Sequence, residues 1–187
     1  MSEPSRSRRV ARELAFQALY SVKVGGCISS EAVDYVLDRQ PLAAENAQFL
    51  RDLVQGVVSH VPELDGMVSR YLARGWSVDR LAITDLLALR LATYEILYLP
   101  GMPPKVTITQ AVELAKNFGG AESGRFVNGV LASVLAGSDK AEWDPSREEK
   151  RETIEDETTQ VIEEVEEEAP ETARFKVGAW TVKSDAD

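Results

Sequence analysis

The chain has one cysteine and one histidine in 187 residues. Cys27 alone cannot close an internal disulfide. His60 ends an apolar helical segment before Pro62, with no second His or Cys and no carboxylate pattern to complete a metal site, so a structural role is expected of it. No Ser/His/Asp, Cys/His or paired-carboxylate arrangement has catalytic spacing. Gly119-Gly120 is not followed by the lysine and hydroxyl residue of a phosphate loop. No apolar h-region follows the N-terminal arginines, which argues against a signal peptide and for the cytoplasm. No segment of the body sustains a period of two, so a sheet is not expected. These absences leave a helical binding domain with no visible enzyme, cofactor or metal.

What is present begins with an uneven charge. The formal net charge is -10, yet residues 1–137 carry 14 Lys+Arg against 14 Asp+Glu, whereas residues 138–187 carry 7 against 17. A neutral body and an acidic tail have different partners, so the total does not exclude nucleic acid. Two segments follow: a helical domain over 1–137 and an acidic low-complexity tail over 138–187.

The body is organised around SVDRLAITDLLALRLATYEILYL, Ser77 to Leu99. Apolar residues leave hardly any angle of a helical wheel uncovered, whereas an ordinary surface helix carries a single apolar stripe. A buried central helix is predicted, with Ser77 as its cap and Pro100-Gly101 as its stop. A membrane span is disfavoured, because Asp85, Arg90 and Glu95 inside the run would need dedicated partners in hydrocarbon.

Upstream, Val10, Leu14, Ala18 and Val22 predict a helix from Ser7 to the Gly25-Gly26 stop. Its start holds the one dense basic cluster, Arg6, Arg8, Arg9 and Arg12. Arginines there oppose the helix macrodipole, so something other than helix stability is called for. Taken alone, such a cluster is most often a solvated helix end. Gln17, Tyr20 and Ser21 on the same helix shift the balance towards single-stranded RNA, which is bound by stacking and arginine contacts.

Further helices are predicted from a Ser29 or Ser30 cap to Pro41, over 43–60, from Pro62 to Gly75, from a Thr107/Gln110 capping box to Phe118, and over 122–135. About seven helices result. Tyr71 and Trp76 can be core packing, the commoner use, or stacking platforms. Gly129 inside the last helix predicts a close helix contact. Asn128 either bonds backbone within the fold, the favoured reading, or presents its amide to a ligand.

RRVARELAFQALYS, DRLAITDLLALRLATYEI and VTITQAVELAKNFGGAESGRFVNGVL resemble, in order and spacing, the NusB family of transcription antitermination factors over residues 5–136. The resemblance implies an all-α fold of two small helical bundles without catalytic activity. It implies binding of the boxA element of ribosomal RNA leader transcripts, together with the small-subunit ribosomal protein NusE, in the transcription elongation complex. Carried over by position, Arg8, Arg9 and Arg12 would meet phosphates, and Arg6 of the same basic cluster is placed with them. Gln17, Tyr20, Tyr71, Arg125, Phe126 and Asn128 would complete the RNA side, and Asp85 would face the ribosomal protein. Val10 stands where a third consecutive arginine is common in the family, and Thr109-Gln110 where Asn-Glu is common.

Two other classes are weighed beside this one. A protein-interaction scaffold of the same fold that has lost strong RNA binding fits the missing arginine and the acidic tail. An RNA methyltransferase, some of which carry such a domain at their start, is disfavoured because no segment of catalytic size follows Gly137. A homodimer is compatible with the sequence. The tail, rich in Glu and poor in aromatics over 139–171, is expected to be disordered, either solubilising or covering the basic N-terminal face. Its RFKVGAWTV end has the composition of a short partner motif.

Overall fold

The computed structural model describes residues 7–142. The chain divides into two units, Met1–Asp144 and Pro145–Asp187. The second unit, and with it nearly all of the acidic tail and its expected disorder, lies outside the described residues.

Seven α-helices and one 3-10 turn make up the first unit, with no extended strand among the described residues. They are α1 (Arg8–Gly25), α2 (Ser29–Arg39), α3 (Ala44–Ser59), α4 (Val61–Ser69), α5 (Ile83–Tyr98), α6 (Pro104–Gly119) and α7 (Ala121–Ala136). Helices α1, α2 and α3 pack on one another, as do α5, α6 and α7; α4 rests on α5, and α1 and α3 close against α5. Two three-helix bundles thus share one core. The stacked rings of Phe16 on α1 and Phe118 on α6, 4.7 Å apart, are part of the seam.

Helix α5 is the hub that its sequence predicts. Every residue from Asp85 to Thr93 is buried, as are Glu95 and Ile96. Its start differs from the expectation, because Val78–Arg80 forms a separate 3-10 turn and Leu81 and Ala82 are extended before α5 begins at Ile83. Extension lets Leu81 drop its side chain into the core, 8% exposed, which a continuous helix from Ser77 would not permit at the same point. The three charged residues in α5 meet different fates. Arg90 forks onto Asp65 of α4 at 2.7 and 2.6 Å. Glu95 meets Arg12. Asp85 keeps its Oδ1 buried without a hydrogen-bond partner among the described residues.

Other boundaries move for identifiable reasons. Helix α6 begins at Pro104, whose fixed φ suits a first helical position, so Thr107 sits inside the helix and is not its cap. Its hydroxyl, buried, donates instead to Glu95 Oε2 at 3.2 Å. Ser29 and Ser30 open α2 from within, after Ile28. Gly26 ends α1 in the left-handed region at φ 67°, its N–H donating to Val22, as the double glycine predicts. Helix α4 stops at Ser69, which leaves Tyr71 in the following turn, packed on the core and against Gly137. The ring of His60 lies against Tyr98 and Tyr94, with Nδ1 2.7 Å from the Gly56 carbonyl oxygen, a packing role.

Past Gly137 the fold continues. Lys140 reaches back to the end of α5, where its ammonium donates to the carbonyls of Leu99, Met102 (3.0 Å) and Glu95 (3.4 Å). A cation at a helix C-terminus satisfies orphan carbonyls and complements the dipole. Burial pushes this ammonium's pKa down, while the nearby Glu95 charge opposes the shift.

Gly129 makes no close helix contact; a methyl group there would meet open space. Gly129→Ala is therefore expected to stabilise the domain by about 0.5–1 kcal/mol through helix propensity alone. A thermal melt followed at 222 nm checks this, and an unchanged or lower midpoint would contradict it. Tyr98 offers a second check. Its phenol donates to Glu63 at 2.6 Å, and that bond, then desolvation and the Glu63 charge, raises its pKa above 10.0. A folded-state pKa above the unfolded one means the bond's contribution is complete below about pH 10 and is lost as pH rises through the folded value. Titration of tyrosinate absorbance should show this phenol ionising late, and Glu63→Gln should bring it earlier.

Candidate nucleic-acid and partner interface

The expected site residues fall into three groups, and Arg6 lies outside the described residues. The first group is on α1. With about 100° per residue, Arg9, Glu13, Gln17 and Tyr20 share one side of the helix, and Arg9 and Tyr20, eleven residues apart, are about 16 Å apart along it. Tyr20 is 36% exposed, and Gln17 is half-buried beside it. Arg8 and Arg9 are exposed at the first turn. Neither guanidinium is idle: Arg8 holds Glu45 of α3 at 3.0 Å and lies 4.9 Å from the Phe49 ring centre, and Arg9 holds Glu113 of α6 at 3.4 Å. Burial raises the pKa of Glu13 and the charge of Arg9 opposes it. An anion arriving here competes with carboxylates, which exposed pairs of this kind yield at small cost.

Arg12 is a correction to the sequence reading. It is 3% exposed, and its guanidinium is consumed inside the protein. Nε lies 2.9 and 3.1 Å from the two Glu95 carboxylate oxygens, and Nη2 lies 2.9 Å from Oε2 and 3.0 Å from Met102 Sδ. Arg12 lies about 60° round the helix from Arg9, enough to turn it from the exposed edge into the core, where its burial places it. It cannot meet a phosphate without abandoning a buried carboxylate.

The second group is on α7. Arg125, Asn128 and Gly129 occupy its outer face; among the described residues Arg125 pairs with Glu122, at 2.6 Å. Asn128 is exposed, and its amide makes no hydrogen bond to the described residues, so the backbone-bonding role favoured from sequence is not the one adopted. Tyr71 lies at the other end of α7, with its hydroxyl against Gly137, twelve residues from Arg125 and so about 18 Å away.

The third group was not expected to be one. Asp85 from α5 and Phe126 from α7 line the same cleft, together with Trp76, Leu81, Ala82, Glu122 and Ser123. Trp76 is 58% exposed, and its ring centre is 6.2 Å from that of Phe126. Sequence spacing could not join these residues, because the loop 70–82 carries Trp76 onto the first turn of α7. Trp76, Glu122, Glu45 and Glu113 are the site-lining residues that sequence reasoning did not assign; an aromatic in a Gly/Ser-flanked loop was the only signal for any of them. Among the described residues no helix is long and apolar enough to cross a membrane, and no group of three or more His, Cys, Asp and Glu could hold a metal ion.

This combination of two fused bundles, a basic-headed α1 and a polar outer face on α7 can be set beside known proteins. The transcription antitermination protein NusB of Symbiobacterium thermophilum is 45% identical over 139 residues, covering 70% of this chain and 90% of the relative. That of Bacillus subtilis is 41% identical over 127 residues, covering 68% of this chain and 93% of the relative. Among solved structures, T. maritima NusB superposes with a TM-score of 0.68 at 32% identity, over 74% of this chain and 96% of its own. A structure of the antitermination factors NusB and NusE in complex with dsRNA matches with a TM-score of 0.65 at 29% identity, over 70% of this chain and 96% of that one. The sequence profile of the NusB family itself matches residues 9–136, from Arg9 in the first turn of α1 to the last residue of α7, so the chain belongs to the NusB family.

Proposed function

We propose that this protein is a transcription antitermination factor that binds boxA RNA of ribosomal RNA leader transcripts together with NusE, and so helps RNA polymerase read through terminators. It acts by binding, in the cytoplasm and within the elongation complex, and not by catalysis. The observation that carries this reading is the stripe on α1, where exposed arginines lead into Gln17 and Tyr20, on a fold belonging to a family of antitermination factors. The phosphate-facing set is Arg6, Arg8, Arg9 and Arg125, with Arg12 assigned to the core. Tyr20 offers a stacking surface, and Asn128 an amide for a base edge. Tyr71 contributes packing at the far end of α7.

Because Arg8 and Arg9 exchange Glu45 and Glu113 for phosphate, binding of RNA by this chain alone is modest. A partner that adds contacts raises the effective affinity. That same exchange favours one alternative, a scaffold whose arginines serve protein contacts alone. Fluorescence anisotropy with a short boxA RNA and a scrambled control, across a salt series with and without NusE, separates the two. Four phosphate contacts predict a slope of log K against log salt near about -2.8, at roughly 0.7 per contact on a single strand. Arg8→Ala/Arg9→Ala is expected to shallow that slope by about 1.4 and weaken binding at least about tenfold. Equal or absent binding of both RNAs with NusE present would support the scaffold.

A further inference from the structure

Among the described residues Arg8, Arg9, Arg12, Arg90 and Arg125 each hold a carboxylate. Arg39, Arg51, Arg70, Arg74 and Arg80 do not, and three of these five fall between residues 70 and 80. Arg70 has a local reason to be there, since it stands at the C-cap of α4, where a cation complements the helix dipole. Arg74 and Arg80 have none. Both are exposed, and they flank Trp76, itself 58% exposed. The turn that carries them is braced. Gly75 sits in the left-handed region at φ 89°, the Trp76 N–H donates to the Ala73 carbonyl at 3.0 Å, and the Arg80 guanidinium donates to the Gly75 carbonyl at 3.4 Å. One exposed aromatic needs no explanation. An aromatic held open between two cations that no described carboxylate neutralises is suited to an anion with a flat face.

A ring for a base and guanidinium groups for phosphates are the elements of a single-stranded RNA surface. The position agrees. Phe16 of α1 stacks on Phe118 near the end of α6, a Cβ at the next residue, Gly119, would meet Ser123 in the first turn of α7, and Phe126 of α7 lies 6.2 Å from Trp76. A short run of contacts round the α6–α7 corner thus joins this segment to α1. The acids nearby offer an anion little opposition, because Glu122 is held by Arg125 and Asp85 is 9% exposed. We propose that Arg74, Trp76 and Arg80 form a second stretch of the RNA surface, which takes nucleotides flanking the segment bound on α1. Trp76 stacks on a base, and the two guanidinium groups meet adjoining phosphates. Contacts of this kind do not read sequence, so they lengthen the RNA held and do not select it. The proposal rests on the reading that this chain binds RNA, and adds to it three residues and a longer footprint.

The experiment has two arms. In the first, anisotropy with the full chain compares boxA RNA with the same RNA carrying a uridine tract on its 5′ or its 3′ side. One of the two tracts should raise wild-type affinity at least about fivefold and steepen the slope of log K against log salt by about 1.4, two contacts at roughly 0.7 each. Arg74→Ala/Arg80→Ala should remove both gains and leave boxA RNA alone unaffected. Trp76→Ala should lose most of the affinity gain while keeping the slope, since the indole carries no charge, and Trp76→Phe should retain much of it. Arg51→Ala removes an exposed arginine on α3 and should behave as wild type. All four residues are exposed, so these variants keep the fold. No gain from either tract, with boxA RNA bound, overturns the assignment of this segment alone. Absence of binding to every RNA overturns the RNA reading beneath it. Weaker NusE binding in the variants, with the gain from the tract intact, would make the segment a protein contact and overturn the proposal.

The second arm reads the ring itself. In a Trp143→Phe/Trp180→Phe background Trp76 is the only tryptophan. Stacking on a base should quench its emission saturably, and further with the extended RNA than with boxA RNA alone. Arg74→Ala/Arg80→Ala should reduce the response to that of boxA RNA. An equal response to the two RNAs in the parent protein overturns the stacking role.

Discussion

Arg12→Ala is expected to destabilise the domain by about 3–5 kcal/mol, the range for removing one partner of a buried ion pair. The geometry explains the size. Glu95 is 1% exposed, and after truncation its carboxylate would keep only the Thr107 hydroxyl among its present side-chain donors. The same deletion empties space beside Met102 and separates α1 from α5 and α6, the three helices that the network joins. For a domain of this size, the melting midpoint should fall by about 10–15 °C. Glu95→Ala strands the guanidinium instead and should cost a similar amount. The double change Arg12→Met/Glu95→Leu removes both charges and should recover most of the loss, because the single-variant penalty is mainly that of the charge left behind. Circular dichroism melts of the four proteins decide the matter. If Arg12→Ala costs less than about 1 kcal/mol, the pair is not the core element described above. RNA binding, measured well below the midpoint, should be retained, which separates Arg12 from Arg8 and Arg9.

Gly56→Val is expected to cost about 3 kcal/mol, at the upper end for overpacking. Gly56 is buried in α3, and any Cβ built there would overlap the ring of Tyr94 on α5. That ring cannot step aside freely, since it is stacked on Tyr98 at 5.2 Å and packed against His60 at 5.7 Å. Helix α3 closes on α5 through this absence of a side chain. Tyr94→Leu in the Gly56→Val background should restore part of the loss, because it vacates the space that the new side chain needs. Additive losses in the double variant would show that the clash is not the cause. Gly129 makes the opposite case: both glycines lie inside helices, yet one is required by a neighbouring ring and the other is open to solvent.

These contrasts mark what could be read from the chain. The all-α class, the number of helices and the buried character of α5 follow from local properties, because an apolar residue at every angle of a helix has one physical outcome in water. The stop at Gly26 and the turn into α4 at Pro62 follow from backbone restrictions that act within a few residues. The cap at Ser77 and the capping box at Thr107 were misplaced for the complementary reason. Both residues have the right local chemistry, but burying Leu81 and donating to Glu95 satisfied longer-range demands, and helix ends give way to packing.

The candidate site divides along the same line. That α1 starts with arginines, and that Gln17 and Tyr20 follow on one side of it, is settled by the order of residues and the helical repeat. Which arginine meets solvent and which meets Glu95, 83 residues away, is not, because four guanidinium groups in one short run are alike until the far side of the core supplies a carboxylate. Asp85, Trp76 and Phe126 show this most fully. Each is ordinary in its own segment, and their chemistry as a set exists only because α5, α7 and the loop 70–82 converge. The sequence by itself determined the elements and the charge they carry. Tertiary packing decided which charges are neutralised inside and which remain for a partner, because the cost of burying a charge depends on what lies opposite it across the fold.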